Sequence, residues 1–244
     1  MPTRVDPHVK VLDEAVVERA KARGLDVLVF APHFERLPDI RARAERFSDD
    51  DLLVVPAREV FTGTLRHRKH VLALGLSDPI PDFITLDGAM DEIERQGAIT
   101  LAPHPGFATV SLSPDELRRY DVAAAESYNP KQRAAGQTPA PTADRPVFGS
   151  SYAHLRTTVG EVWTEFEADV DSAAALVDAF REGAPRRVYH RRGPSHIARC
   201  AAEFAHLGWE NTAEKIDRVL LSGMEATHPG HVAYGDRFAD VAVY

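Results

Sequence analysis

Cysteine is almost missing: Cys200 is the only one in 244 residues, so no intramolecular disulfide is possible. Lysine is scarce too, 5 of the 29 basic residues against 24 arginines, a bias that reflects genome composition rather than function. Basic charge is outnumbered, 37 acidic residues leaving a net charge of −8. A chain that coats nucleic acid needs an extended basic footprint, so nucleic acid is not the expected partner. No apolar run approaches the ~20 residues of a membrane span. The opening Met1-Pro2-Thr3-Arg4-Val5-Asp6 has no apolar signal core. These absences suit a cytoplasmic protein with no membrane partner. The phosphate-cradling Gly-x-x-x-x-Gly-Lys-Ser/Thr loop, the dinucleotide Gly-x-Gly-x-x-Gly fingerprint, the Gly-x-Ser-x-Gly elbow and any Cys-x-x-Cys pair are absent as well. A nucleotide-driven motor, a Rossmann dehydrogenase and a serine hydrolase are disfavoured.

What is present is an ordinary globular composition, 44% hydrophobic and 27% charged. A chain of this size buries roughly 70–75% of its unfolded surface, enough for one large core. Short apolar runs alternate with amphipathic stretches, the βα rhythm of a parallel sheet or barrel. Strands are expected near 4–8, 25–31, 53–57, 71–74, 98–102, 122–127 and 147–149, and a half-buried one near 159–166. Asp13 caps a helix that Gly24 ends, and Ser113-Pro114-Asp115-Glu116 is a capping box with proline at the first helical position. Further helices are expected near 86–96, 172–182, 196–207 and 212–221. Residues 130–146 read as a long loop, either a lid or a place where a helix was lost. No linker divides the chain. One domain is expected over 1–244, with 167–244 a helical C-terminal extension.

The histidines carry the functional signal. His8 ends the first run, His33 follows the second, Glu59 the third, and His70 precedes the fourth. His104, then Glu126 and Asn129, then His154 follow later ones. The carboxyl ends of barrel strands converge on one mouth, where active sites are built. Imidazoles and a carboxylate delivered there from separate strands suit Zn²⁺, Mn²⁺ or Fe²⁺. A single histidine after a strand is more often a hydrogen-bonded loop residue; five or six on successive strands are harder to read that way.

The order Asp6-Pro7-His8, Ala31-Pro32-His33, Arg58-Glu59, His70-Val71-Leu72, His104-Pro105, Glu126-x-x-Asn129 and Gly149-Ser150-x-x-x-His154 resembles the PHP (polymerase and histidinol phosphatase) superfamily, over about residues 4–165. The resemblance implies an α/β fold, a distorted (β/α)7 TIM-like barrel. It also implies two or three metal ions and hydrolysis of phosphoesters. Two positions depart from the family pattern. Lys10 stands where the opening Asp-x-His-x-His motif has its second histidine. Tyr152 stands where the closing Gly-Ser-Asp-x-His motif has its aspartate, with one residue inserted. By resemblance both losses fall on one metal position, shared with His8 and the bridging Glu59. A second position keeps Glu59, His70 and His104. A third would use His33 and His154, with Asp13 the nearest acid, which reads equally well as a helix cap.

These readings give one or two divalent ions held among His8, His33, Glu59, His70, His104 and His154. Lys10 replaces the lost ion's charge against Glu59, or else points into solvent in a decayed site. A bound ion would activate water, and histidines not used as ligands, His154 among them, would protonate a leaving group. The catalytic candidates are thus Lys10, Glu59 and His154. Arg58 and Arg156, beside motif residues, are the candidates to hold phosphate, while Arg66-His67-Arg68-Lys69 reads better as a solvated turn. His228 and His231 have metal-compatible spacing in a Pro/Gly turn. His196 and His206 on one helix read as surface or packing residues, and Cys200, among alanines on the same helix, as a buried small apolar residue. The expected activity is hydrolysis of a small phosphorylated metabolite or nucleotide. The rival is a non-catalytic PHP-like barrel serving as a subunit, for example of a ribonucleoprotein.

Overall fold

Apolar residues spaced by two turn these runs into strands. The computed structural model describes residues 2–64, 67–107, 109–134, 142, 144–209 and 226–243, and carries nine strands among them. The elements run β1 (Thr3–Val9), α1 (Glu14–Ala22), β2 (Val27–Phe30), α2 (Leu37–Phe47), β3 (Leu53–Gly63), β4 (Arg68–Leu74), α3 (Leu86–Arg95), β5 (Ile99–Ala102), α4 (Pro114–Arg119), β6 (Ala124–Tyr128), α5 (Pro130–Ala134) and β7 (Val147–Gly149). A 3-10 turn (Arg156–Thr158), β8 (Val162–Phe166), α6 (Ala173–Arg181), β9 (Arg186–His190) and α7 (Pro194–Trp209) follow.

The strands form one mixed sheet in the order β7-β6-β5-β4-β3-β2-β1-β8-β9. Four of its pairings are parallel and four antiparallel, the antiparallel ones all involving β4 or β8. The two ends of the sheet approach each other, so the barrel is nearly closed. Val9 bridges Ala153, and Gly149 exchanges two 2.9 Å hydrogen bonds with the Thr164 hydroxyl. Gly149 is required at this closure: a Cβ there would lie 2.3 Å from Val188 Cγ1 and 3.1 Å from Val162 Cγ1. No real side chain tolerates the first distance.

Alternation decides what faces inward. Val55 and Ala57 of β3 join Val5, Val29, Leu72 and Leu101 in one buried cluster, while Val54 and Val60 pack into the outer layers under α1, α2 and α3. Glu59 therefore continues the inward face and Arg58 the outward one. Helix α6 sets Leu176, Val177 and Phe180 against that interior beside Phe166, at the end where β1 begins. The opposite end is left to the polar residues.

Three expectations need correction. Residues 130–134 are a helix, not loop, because the Asn129 side-chain Oδ1 accepts from Lys131 and Gln132 N–H at 3.0 Å each, a cap for a proline-initiated turn. The stretch after 167 is not purely helical, since β9 lies within it and pairs with β8. Helix α2 went unforeseen; its Arg36 N-cap makes no side-chain cap bond. The helix expected near 212–221 lies outside the described residues, as does Arg66 of the basic cluster. Arg68 and Lys69 belong to β4, not to a turn.

Candidate metal centre

Glu59 is the hub of the polar end. It is fully buried. Its Oε1 lies 3.1 Å from His70 Nδ1 and 2.9 Å from His104 Nε2. Its Oε2 lies 3.2 Å from both His8 Nε2 and His33 Nε2, and pairs with the Lys10 ammonium. Four imidazoles and one ammonium, from four separate stretches of chain, thus meet on one carboxylate. Lys10 is buried and its Nζ also donates to the Ala31 carbonyl. It does not reach into solvent.

The electrostatics follow from burial. Burial alone would raise the Glu59 carboxyl, but Lys10 and the imidazoles of His33, His8 and His70 outweigh it and hold the group well below the usual range. Burial pushes His8 down to about 3 and His70 to about 4 against the pull of Glu59. It also holds His33 well below its ordinary value, with Lys10 adding to the effect. These rings are neutral at pH 7. The contacts of His8 and His70 with Glu59 are hydrogen bonds rather than ion pairs, and neutral imidazole is the metal-ligating form.

Ligand atoms of His33, Glu59 and His70 all lie within 4.8 Å of one another. His8 Nδ1, His33 Nδ1, His70 Nε2 and His104 Nδ1 are buried with no hydrogen-bond partner among the described residues. Buried polar atoms are rarely left so. A neutral, unsatisfied imidazole set around an anionic carboxylate fits a divalent cation.

Around this hub the remaining motif residues act as supports. Glu126 accepts from the His104 N–H and from Asn129 Nδ2, each at 2.7 Å, and from the Ser150 hydroxyl. Burial lifts its carboxyl to about 7 despite those bonds. Asp6 accepts from the N–H groups of Ser151 at 2.9 Å and Gly160 at 3.1 Å, tying the chain after β7 to β1; burial lifts it to about 6. The Tyr152 ring sits 4.6 Å from His8 and 5.2 Å from His104. Phe34, His104 and Tyr152 have φ of 52°, 38° and 44°, in the left-handed region that non-glycine residues seldom enter. Such strain gathers at functional sites.

His154 stands next to this group, its ring 6.4 Å from that of His33. Its Nδ1 meets the buried ammonium of Lys131, which lies 3.8 Å from the Tyr152 ring centre and 3.4 Å from the buried Glu203. Glu203 in turn accepts from the N–H groups of His154 and Leu155. Lys131 and Glu203 were not foreseen. The only available signal was Asn129-Pro130, a helix start directly after the Glu126 strand.

Two arginines part company. Arg58 is buried, bonded to Asp82 Oδ1 at 3.0 Å and to the Glu35 carbonyl, on the face of β3 opposite Glu59. It is a structural ion pair behind the site and is not placed to hold a phosphate. Arg156 is 64% exposed on the chain after β7 and pairs with Asp13 Oδ2 at 2.7 Å. Asp13 also caps α1 through Val16 N–H. His228 and His231 each accept a local backbone N–H at 3.1 Å in the C-terminal segment. His196 is buried against Glu161 rather than on the surface.

A family model described as PHP-associated matches residues 140–185. Among curated proteins none matches the chain. Among solved structures, PsfC from Pseudomonas syringae PB-5123 is similar with a TM-score of 0.61 and 19% identity, over 86% of this chain and 99% of that one. The lesion-specific endonuclease PfuEndoQ from Pyrococcus furiosus gives 0.55 and 13%, over 77% of this chain and 58% of that one. Endonuclease Q in complex with a 27-mer duplex substrate with an abasic lesion at the active site gives 0.53 and 12%, with the same coverage. This chain thus spans 58% of the length of Endonuclease Q.

These likenesses define the class: a mixed α/β chain with a PHP-type barrel. The PHP-associated match agrees with that fold over residues 140–185 of the chain. The expectation that nucleic acid is an unsuitable partner is overturned, because a protein of this fold is seen holding duplex DNA. Net charge is a sum over the whole surface, whereas phosphate recognition depends on the local field. No helix among the described residues is long and apolar enough to cross a membrane.

Proposed function

We propose that this chain is a divalent-metal-dependent phosphoesterase. One observation carries the reading: the ligand atoms of His33, Glu59 and His70 gather within 4.8 Å beside buried imidazole nitrogens that have no hydrogen-bond partner among the described residues. These three residues would hold one ion, Zn²⁺, Mn²⁺ or Fe²⁺, and His8 and His104 would complete a second position on the same carboxylate. The ion supplies Lewis-acid activation of water and polarisation of a phosphoryl oxygen.

The rest is the work of the chain's own residues. Lys10 is a compact cation fixed on Glu59. Its ammonium neutralises charge that builds on the phosphoryl oxygens during ester cleavage. His154, backed by Lys131 and Glu203, donates the proton that the leaving oxygen needs. Tyr152 walls one side with an aromatic face and limits water. Arg156 at the rim holds a substrate phosphate, exchanging Asp13 for it. Two substrate classes follow: a small phosphorylated metabolite, and the phosphodiester of a nucleic acid, as Endonuclease Q holds.

The test is metal content by elemental mass spectrometry on the purified chain, with Glu59→Gln and His70→Ala beside it. One to two equivalents, lost in both variants, are expected, together with turnover of phosphomonoesters or of an abasic duplex. A chain that neither contains nor takes up Zn²⁺, Mn²⁺ or Fe²⁺ overturns the reading in favour of a non-catalytic barrel.

A further inference from the structure

The acidic chain gathers arginines in one place. Glu161, fully buried, is met by Arg19 at 3.3 Å, Arg23 at 2.9 Å, Arg199 at 3.1 Å and His196 at 2.8 Å. One carboxylate for three guanidiniums leaves an excess of positive charge. Next to it, a cavity of about 330 Å³ opens between α5, the end of β9 and the start of α7. Its lining includes Arg133, Arg191, Arg192, His190 and His196. Among the described residues no carboxylate pairs with Arg133, Arg191 or Arg192.

Two of those arginines, Arg133 and Arg191, are held in place by neutral groups. Arg133 donates to the Tyr128 hydroxyl at 2.9 Å. Arg191 donates to the carbonyls of Gly160 and Arg23 at 3.3 Å and lies 5.6 Å over the Trp163 ring. His190 stacks on Tyr128 at 4.7 Å, and its Nδ1 donates to the Arg191 carbonyl at 2.8 Å. Cationic donors fixed by neutral partners around a small cavity are the chemistry of an oxyanion site, and guanidinium is the side chain suited to phosphate. The repulsion is already visible next door: Arg19 and Arg23 are lowered first by burial and then by neighbouring arginines, Arg191 among them. A cavity of 330 Å³ is at the small end of ligand pockets, about 300–1,000 Å³. It takes a phosphate group and part of what carries it.

We propose that this cavity is a phosphate subsite separate from the metal centre, with Arg133, Arg191 and Arg192 as its cations. Helix α5 is the wall between the two: Lys131 and Gln132 are buried on the side of His154 and Pro105, and Arg133 lines the cavity. The subsite does not depend on the centre holding a metal. The same chemistry serves the free phosphate of a small metabolite and the backbone phosphate of a nucleic acid strand.

The test is calorimetric titration of the full chain with two probes, inorganic phosphate and a short DNA duplex. It is run on the wild type, on Arg133→Ala, on Arg192→Ala and on EDTA-stripped wild type. Arg133 and Arg192 are exposed, and circular dichroism checks that their variants fold. Removing either arginine should weaken binding about tenfold or more, as for a lost charge-assisted hydrogen bond, while stripping metal leaves it in place. Arginine-dependent binding of phosphate alone identifies the small-molecule source, and of duplex alone the backbone source. Binding that survives both substitutions, binding lost with the metal, or no binding of either probe overturns the subsite. A chain that neither contains nor takes up a divalent ion, yet binds phosphate through Arg192, keeps the subsite and removes the phosphoesterase reading.

Discussion

Two buried glutamates in this molecule are ringed by basic side chains, and their rings differ in kind. Glu59 faces four imidazoles and one lysine; Glu161 faces three arginines and one imidazole. Around Glu59 the rings of His8, His33 and His70 are neutral at pH 7, so they can take up a proton or a cation. Around Glu161 the guanidiniums are permanently charged and offer only donors. The first arrangement is adjustable and sits among strained backbone at the barrel mouth. The second is fixed, and joins α1, the start of β8 and α7. Burial of a carboxylate therefore does not mark a reactive site. What separates the two rings is the partners' capacity to change charge.

The largest effect that tests this contrast is Glu161→Gln. It leaves Arg19, Arg23 and Arg199 without their shared anion and should cost about 3 kcal/mol of stability. Urea unfolding measures the loss, and metal content per folded molecule should stay as in the wild type. If metal content falls as well, the two regions are coupled and the contrast fails. Lys10→Gln probes the other ring. Turnover of a phosphoester should drop about 10²–10³-fold, the scale for losing one preorganised electrostatic contact, with metal retained. Unchanged turnover would leave Lys10 with charge balance alone.

Acid should separate the rings next. His8 and His70 sit at about 3 and about 4 in the folded chain against 6.5 for the free side chain. The unfolded chain binds those protons first, so their contribution is complete above pH 6.5 and is lost as pH falls toward 4 and then 3. His70 alone is worth on the order of 3 kcal/mol. Asp6 and Glu126, raised to about 6 and about 7, act in the opposite sense: their contribution is complete below about pH 4 and fades as pH rises through those values. With His33 also held low, the histidines outnumber them. The Tm of the metal-stripped chain should fall between pH 6.5 and 4, and a flat profile would contradict the neutral ring. The smallest effect is His196→Gln, which keeps a donor toward Glu161 and should cost about 1 kcal/mol by thermal unfolding.

The residues of the candidate site were more legible than their surroundings. Histidines placed directly after apolar runs announce a strand-end cluster, because a strand delivers its next residue to the barrel mouth. Arg58 misleads only when read as a neighbour of Glu59. The spacing Val55, Ala57, Glu59 already assigns the two residues to opposite faces. Strand β9 is hidden in Arg186-Arg187-Val188-Tyr189-His190, a polar run at the sheet edge whose core contribution is slight. The Lys131–Glu203 pair is non-local, joining α5 to α7, and no spacing rule links residues 72 positions apart. Conversely, the exclusion of nucleic acid rested on a whole-chain average, which says nothing of where the arginines collect.

Lys10 has a consequence for how such a site lives with a fluctuating ion supply. A cation on a side chain has no dissociation constant: no chelator removes it and no shortage of ions empties its place. The charge balance of Glu59 is therefore partly written into the gene rather than drawn from the medium. In the metal centre proposed above, a shortage of divalent ions would still leave the carboxylate its positive neighbour.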